Sequence, residues 1–117
     1  MSADPNSFLP LSAATLHILL ALAGENLHGY GIMQEVERQS EGRYKLGPGT
    51  LYDNLQRLVE QGVVKEVASR SGDDDPRRRY YALSAVGSRV LAAEVQRLEG
   101  VIRDAKLRMR TPKTGKA

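Results

Sequence analysis

Apolar residues dominate the stretch from Ser12 to Gly24, and Leu16, Leu19, Leu20 and Ala23 recur there at helical spacing. The pattern predicts a first helix, capped by Ser12 and stopped by Gly24. Residues 24–31, GENLHGYG, carry three glycines and read as a turn into a second helix, in which Ile32 and Val36 form an i,i+4 apolar pair and which ends near Ser40 to Gly42. Arg43 to Leu46 is a short extended piece. Gly47-Pro48-Gly49 then breaks the chain, with Pro48 suited to the first position of a third helix. Leu51, Leu55, Leu58 and Val59 share one stripe of that helix, and Gly62 supplies its stop. The opposite face holds Thr50, Asp53, Gln56, Arg57 and Glu60, polar side chains open to a partner.

Beyond the third helix the period changes. Val63 to Ala68 is a β-type run, Ser69 to Pro76 is a polar, turn-rich loop, and Arg79 to Leu83 (RYYAL) is a second strand, so the two runs make a hairpin with its tip at about residues 69–78. Ser84 caps a last helix reaching about Met109, along which Leu91, Val95, Leu98, Ile102, Ala105 and Met109 are spaced 4, 3, 4, 3, 4. That is a heptad seam. A helix roughly 35 Å long, at ~1.5 Å per residue, cannot bury such a seam on three short helices, so the seam predicts a second chain. Burying each large seam residue yields roughly 1.5–3 kcal/mol, against about 1 kcal/mol lost to Gly100 within the helix. The expected fold is mainly α with a small β-hairpin: a winged helix-turn-helix followed by a long C-terminal dimerisation helix. The segments are a disordered N-terminus (1–10), the winged helix-turn-helix domain (11–83), the dimerisation helix (84–110) and a disordered basic tail (111–117).

Composition narrows the chemistry. The 117 residues are 41% hydrophobic and 26% charged, with one Phe and no Trp, which fits a globular domain with an aliphatic core. The absence of Cys removes disulfides, thiolate nucleophiles and most zinc sites, and two His, His17 and His28, are too few for a histidine metal cage. We find no nucleophile with a base, no carboxylate pair in a pocket-forming context and no phosphate-binding glycine loop, so no enzyme, metal or cofactor is expected. The opening MSADPNSF lacks a basic leader, and the run from Leu16 to Ala23 is too short to span a bilayer. The expected location is cytoplasmic. The isoelectric point near 9.4 is misleading as a sign of nucleic-acid binding. From Arg97 onward seven Lys/Arg face two Asp/Glu, whereas the first 96 residues carry ten basic and twelve acidic side chains. Any case for nucleic acid rests on where individual charges sit.

Three segments, LHGYGI (27–32), LGPGTLYDNLQRLVEQGVV (46–64) and RRRYYALSAVGSRVL (77–91), resemble the PadR-like transcriptional regulators. The resemblance covers about residues 12–95, its most specific part being GTLY and its spacing to YYALS; the length is similar to the short subgroup with a single C-terminal helix. It implies a homodimer whose third helix enters the major groove of a palindromic operator, whose wing touches the flanking backbone or minor groove, and whose last helix pairs the subunits. Such regulators usually repress. Two departures stand out: Asp53 puts an acid where the family often has Pro or a small residue after GTLY, and the last helix lacks the aromatic through which some short members hold drug-like molecules.

The candidate DNA contacts are Tyr30, Gly49, Thr50, Tyr52, Asp53, Asn54, Arg57, Arg77, Arg78 and Arg79. Thr50, Asp53, Asn54 and Arg57 are read as exposed on the third helix, within reach of base edges or phosphates, and the backbone N–H groups at Gly49 to Leu51 favour a phosphate. Arg57 is the foremost base or phosphate contact. Asp53 either accepts from cytosine or excludes wrong sequences, and Tyr52 and Tyr30 either pack or donate to phosphate. Alternation along a strand sends Arg77 and Arg79 one way and Arg78 the other; the competing reading pairs the three arginines with Asp73 to Asp75. One of Tyr80 and Tyr81 is expected in the core and the other exposed. His17 reads as a packed histidine and His28 as a turn residue. The dimer interface is Leu91, Val95, Leu98, Ile102, Ala105 and Met109. The partners expected are double-stranded DNA, a second copy of the chain and a small hydrophobic effector; the basic tail either adds salt-dependent affinity or solubilises. The rival reading is a winged-helix module for protein contacts without specific DNA binding.

Overall fold

The computed structural model describes residues 4–68 and 78–110. Most of the expected wing tip, including Arg77, and the expected basic tail at 111–117 lie outside the described residues. The element order is a short 3-10 turn (Pro5–Phe8), α1 (Ala13–Gly24), β1 (Leu27–His28), α2 (Gly29–Gln39), α3 (Pro48–Glu60), β2 (Val64–Val67), β3 (Tyr80–Leu83) and α4 (Ala85–Arg110). Mainly helical, with a small antiparallel sheet and a long last helix, the architecture is that of a winged helix.

Local chemistry sets the helix ends. The Ser12 hydroxyl accepts from the Thr15 N–H at 3.1 Å and starts α1. Pro48 occupies the first turn of α3, where its missing N–H costs no hydrogen bond. Gly62, at φ +77°, ends α3. Its N–H reaches the Val59 carbonyl and the Val63 N–H reaches the Leu58 carbonyl at 2.9 Å, a Schellman closure sealed by the buried Leu58 and Val63 side chains. α2 closes in the same way through Glu41 (φ 55°) and Gly42 (φ 78°). The Ser84 hydroxyl accepts from the Gly87 N–H at 2.9 Å and opens α4.

The core is aliphatic, built from Ile18, Leu19, Leu22, Ile32, Val36, Leu51, Leu55, Leu58, Val63, Val64 and Val90, with Tyr81 against them. α1 sits at its centre, touching α2, α3, α4 and β3. The expected stripe of Leu16, Leu19, Leu20 and Ala23 is therefore corrected: the buried positions are Thr15, Ile18, Leu19, Ala21 and Leu22, while Leu16 and Leu20 are half-buried and Ala23 is exposed. A helix packed on several sides is apolar almost all round, so spacing alone does not single out its innermost row.

The sheet has three strands in the order β1-β3-β2, all antiparallel. The hairpin pairs Val64 with Leu83 and Val67 with Tyr80, and the two-residue β1 pairs Leu27 with Tyr81 and His28 with Tyr80. β3 is thus a central strand. That corrects the expectation for its tyrosines, because both are buried, Tyr80 at 7% exposure and Tyr81 at 5%. Tyr81 joins the core, and the His28 ring stands edge-on to Tyr80 with centroids 5.3 Å apart.

Residues 4–10, expected to be disordered, form the 3-10 turn and lie against α4, with Phe8, Leu9 and Leu11 packed on the core. Their anchor is Glu94 of α4, 1% exposed, whose carboxylate accepts from the Leu11 N–H at 3.2 Å and from the Arg97 guanidinium at 2.6 Å. The Arg97 hydrogen bond, against the opposing effect of burial, holds the Glu94 carboxyl below the usual carboxylate range. A depressed folded value means that the stabilisation is complete above the unfolded-state value and fades as pH falls through the folded one. Glu94→Gln is accordingly expected to lower stability by about 1.5–3 kcal/mol at neutral pH and to flatten the acid limb of a plot of melting temperature against pH. Parallel acid limbs for the two proteins would contradict this.

Candidate nucleic-acid interface

α3 shows three strips to the outside. Gly49, Asp53, Gln56 and Glu60 form an exposed crest opposite the buried Leu51, Leu55 and Leu58. Thr50 and Arg57 lie on one flank and Tyr52 on the other, all exposed. No side chain caps the start of α3, whose N-cap is Gly47. Amide donors of the first turn, carrying the positive end of the helix dipole, therefore lie at the surface beside Thr50.

Asn54 is corrected from an exposed contact to a buried one, at 7% exposure. Its amide donates to the Thr50 carbonyl at 2.8 Å, and its Oδ1 accepts from the Thr15 hydroxyl at 3.1 Å and from Arg57 Nη2 at 2.7 Å. The amide thus bolts α3 to α1 and fixes the guanidinium of Arg57. Arg57 leans toward residues 7–12 and lines a groove of about 310 Å³ with Phe8, Pro10, Ser12 and Gln61.

The other flank gathers aromatic and cationic groups. Tyr30, 58% exposed, and Tyr52, 48% exposed, border a cleft of about 290 Å³ with His28, Arg78, Arg79 and Tyr81. Burial, with the Glu66 carboxylate nearby, pushes the Tyr81 phenol up, so it stays neutral. Arg78 and Arg79, just ahead of β3, diverge: Arg78 Nη1 lies 2.8 Å from His28 Nε2, whereas Arg79 faces Glu66 at 3.7 Å. His28 is corrected from a turn residue to the N-cap of α2, its Nδ1 accepting from the Gly31 N–H at 3.0 Å. Histidine is not among the usual capping residues, so the sequence alone did not mark this cap. His17 is packed, its ring stacked on Tyr44 at 4.5 Å.

Gly29 lets this flank close. A Cβ there would stand 2.1 Å from the Tyr52 hydroxyl, so the phenol rests where any larger residue would be. Because Tyr52 is half-exposed and can swing away, Gly29→Ala is expected to cost less than about 1 kcal/mol of stability while displacing the phenol. A loss of nucleic-acid affinity without a matching fall in melting temperature checks it.

The seam of α4 divides in two. Leu91 is buried in the core and Leu98 and Ala105 are half-buried, whereas Val95 (41%), Ile102 (53%) and Met109 (85%) stand exposed. Among the described residues no three His, Cys, Asp or Glu side chains could hold a metal, and no helix is long and apolar enough to cross a membrane.

Comparison with known proteins bears on the same elements. The family model described as "Transcriptional regulator PadR-like family" matches residues 18–93. The transcriptional regulator Rv3488 of Mycobacterium tuberculosis is 33% identical over 93 residues, covering 80% of this chain and 82% of that protein. A PadR-like regulator from Bacillus cereus superposes with a TM-score of 0.71 at 17% identity, over 84% of this chain and 92% of that one. Bacillus subtilis PadR, solved in complex with operator DNA, superposes with a TM-score of 0.60 at 19% identity, over 72% of this chain and 47% of that one. This is a family of regulators and not of enzymes. The chain, from the capped helices through the wing strands to the first turns of α4, belongs to the PadR-like family of transcriptional regulators.

Proposed function

We propose that the chain is a sequence-specific DNA-binding regulator that represses as a homodimer on a palindromic operator. One observation carries the reading: the outer face of α3 is uncovered, between Thr50 and Arg57 on one flank and the Tyr30, Tyr52, Arg78 and Arg79 cleft on the other. An α-helix fits the major groove, and flanking cations and phenols match the phosphates on either side. The crest, carrying Asp53 and Glu60, repels phosphate and suits base edges: Asp53 accepts from cytosine, and Gln56, which the sequence reading left out of the site, pairs with adenine. Uncapped amides at Gly49 and Thr50 take a phosphate. The operator-DNA complex of the Bacillus subtilis protein supports a DNA target by analogy.

Dimerisation follows from the seam. Val95, Leu98, Ile102, Ala105 and Met109 run along the part of α4 that the chain's own core leaves uncovered, and a second α4 buries them. A groove of about 600 Å³ along the start of this seam, lined by Ala23, Leu83, Leu91, Ala92 and Val95, offers an apolar seat for a small effector that relieves repression. A DNA target also places the protein in the cytoplasm.

Arg57→Ala tests the DNA reading. Fluorescence anisotropy against a selected duplex is expected to show a loss of about 1–3 kcal/mol in binding, with a fold that still melts cooperatively. For the unaltered protein the affinity should fall steeply with salt as counterions are reabsorbed. Weak, salt-insensitive association unaffected by Arg57→Ala would favour the protein-contact module instead.

A further inference from the structure

His28 sits where the helix-turn-helix meets the base of the wing, and its two ring nitrogens make incompatible contacts. Nδ1 lies 3.0 Å from the Gly31 N–H, which it must accept to cap α2. Nε2 lies 2.8 Å from Arg78 Nη1, a guanidinium nitrogen that can only donate. A neutral imidazole has one lone pair and one N–H. If Nδ1 accepts from Gly31, the proton is on Nε2 and opposes the guanidinium. If Nε2 accepts from Arg78, the proton is on Nδ1 and opposes the Gly31 amide. A protonated ring can accept neither.

We infer that His28 is a positioning residue that couples the wing base to the start of α2: its lone pair goes to Arg78 or to the helix cap, and drawing Arg78 onto a phosphate releases it to the cap. The inference rests on the DNA reading for the phosphate, whereas the exclusive contact is a property of the protein by itself. The surroundings hold the ring in place for the exchange. Tyr80 of β3 packs edge-on to it, and Tyr30 of α2 lies parallel to it at 6.5 Å. The same cleft holds Tyr52 from α3 and, from just ahead of β3, Arg79, which faces Glu66 at 3.7 Å. Engagement of Arg78 by DNA thus firms the first turn of α2, next to Tyr30 and to Gly29 under Tyr52. Wing contact and helix-turn-helix order become one event.

Nitrogen-15 NMR of the imidazole reads which nitrogen carries the proton. Arg78→Ala in the DNA-free protein is expected to move His28 from a tautomer mixture to the form with Nε2 protonated and Nδ1 accepting. Adding a synthetic duplex of the selected sequence to the unaltered protein should produce the same shift. His28→Asn, which keeps a cap acceptor, should melt like the unaltered protein and lose the coupling, so that amide exchange at Gly31 no longer changes when duplex is added. An identical tautomer with and without Arg78 overturns the inference, as does a duplex that binds by anisotropy yet leaves His28 unchanged. If no duplex binds, the DNA reading fails, and the DNA-free comparison still decides whether the two contacts exclude each other.

Discussion

Leu98→Asp combined with Ile102→Asp is expected to halve the mass seen by light scattering and to remove detectable binding to a palindromic duplex at physiological salt. Both positions lie on the stretch of α4 beyond the core, Leu98 half-buried and Ile102 53% exposed, so the fold of one chain does not depend on them. In a paired helix each would contribute roughly 1.5–3 kcal/mol by burial. Two facing carboxylates would instead have to be desolvated, which costs several kcal/mol per ion. The monomer should keep its melting transition, because the caps at Ser12, Gly62 and Ser84 and the core around Ile18 and Leu51 are untouched. It loses DNA because one recognition helix reads only half of a palindrome. An unchanged dimer mass would move the interface elsewhere.

The second large effect is on folding. Gly87→Ala is expected to cost about 3 kcal/mol, at the upper end of what forced overpacking usually costs, read by chemical denaturation. A Cβ at Gly87 would stand 2.0 Å from the Val63 carbonyl oxygen and 3.1 Å from its carbon. That oxygen cannot yield cheaply, since it accepts from the Ser84 N–H and from the Ser84 hydroxyl, both at 3.0 Å. The contact is backbone against backbone, where α4 crosses the end of β2. Gly29→Ala is the contrasting case, because there the obstacle is the far end of a half-exposed tyrosine. Similar losses of stability for the two variants would contradict the distinction.

What the sequence revealed, and what it hid, follows from the range of the interactions concerned. Ser12, Pro48 and Gly62, and Ser84 in its bond to the Gly87 N–H, act on backbone groups within four residues of themselves, so the start of α1, both ends of α3 and the start of α4 could be read from the chain. The 4, 3 spacing along α4 was readable because it repeats along one helix, whereas the capture of Leu91 by the chain's own core was not. Strand β1 was missed: Leu27 and His28 become a strand only because β3 arrives from more than 50 residues away to pair with them. That pairing is also why Tyr80 and Tyr81 are both buried, against the alternation of a two-stranded ribbon. Asn54 lies between the polar face and the buried stripe of α3, and only the Thr15 hydroxyl of α1 decides that it turns inward. Glu94 was passed over in the sequence because its partner, the Leu11 N–H, lies 83 residues away. Candidate contacts on one helix could thus be named individually, but their grouping into a crest and two unlike flanks required the fold.

The central claim is that this chain reads DNA sequence as a dimer. Its most direct test is selection of the purified protein against a random double-stranded DNA pool at physiological salt. The account predicts recovery of a palindrome whose half-sites lie about one helical turn apart, ~34–36 Å between centres. Recovery of nothing above background would contradict it and leave the exposed face of α3 to a protein partner.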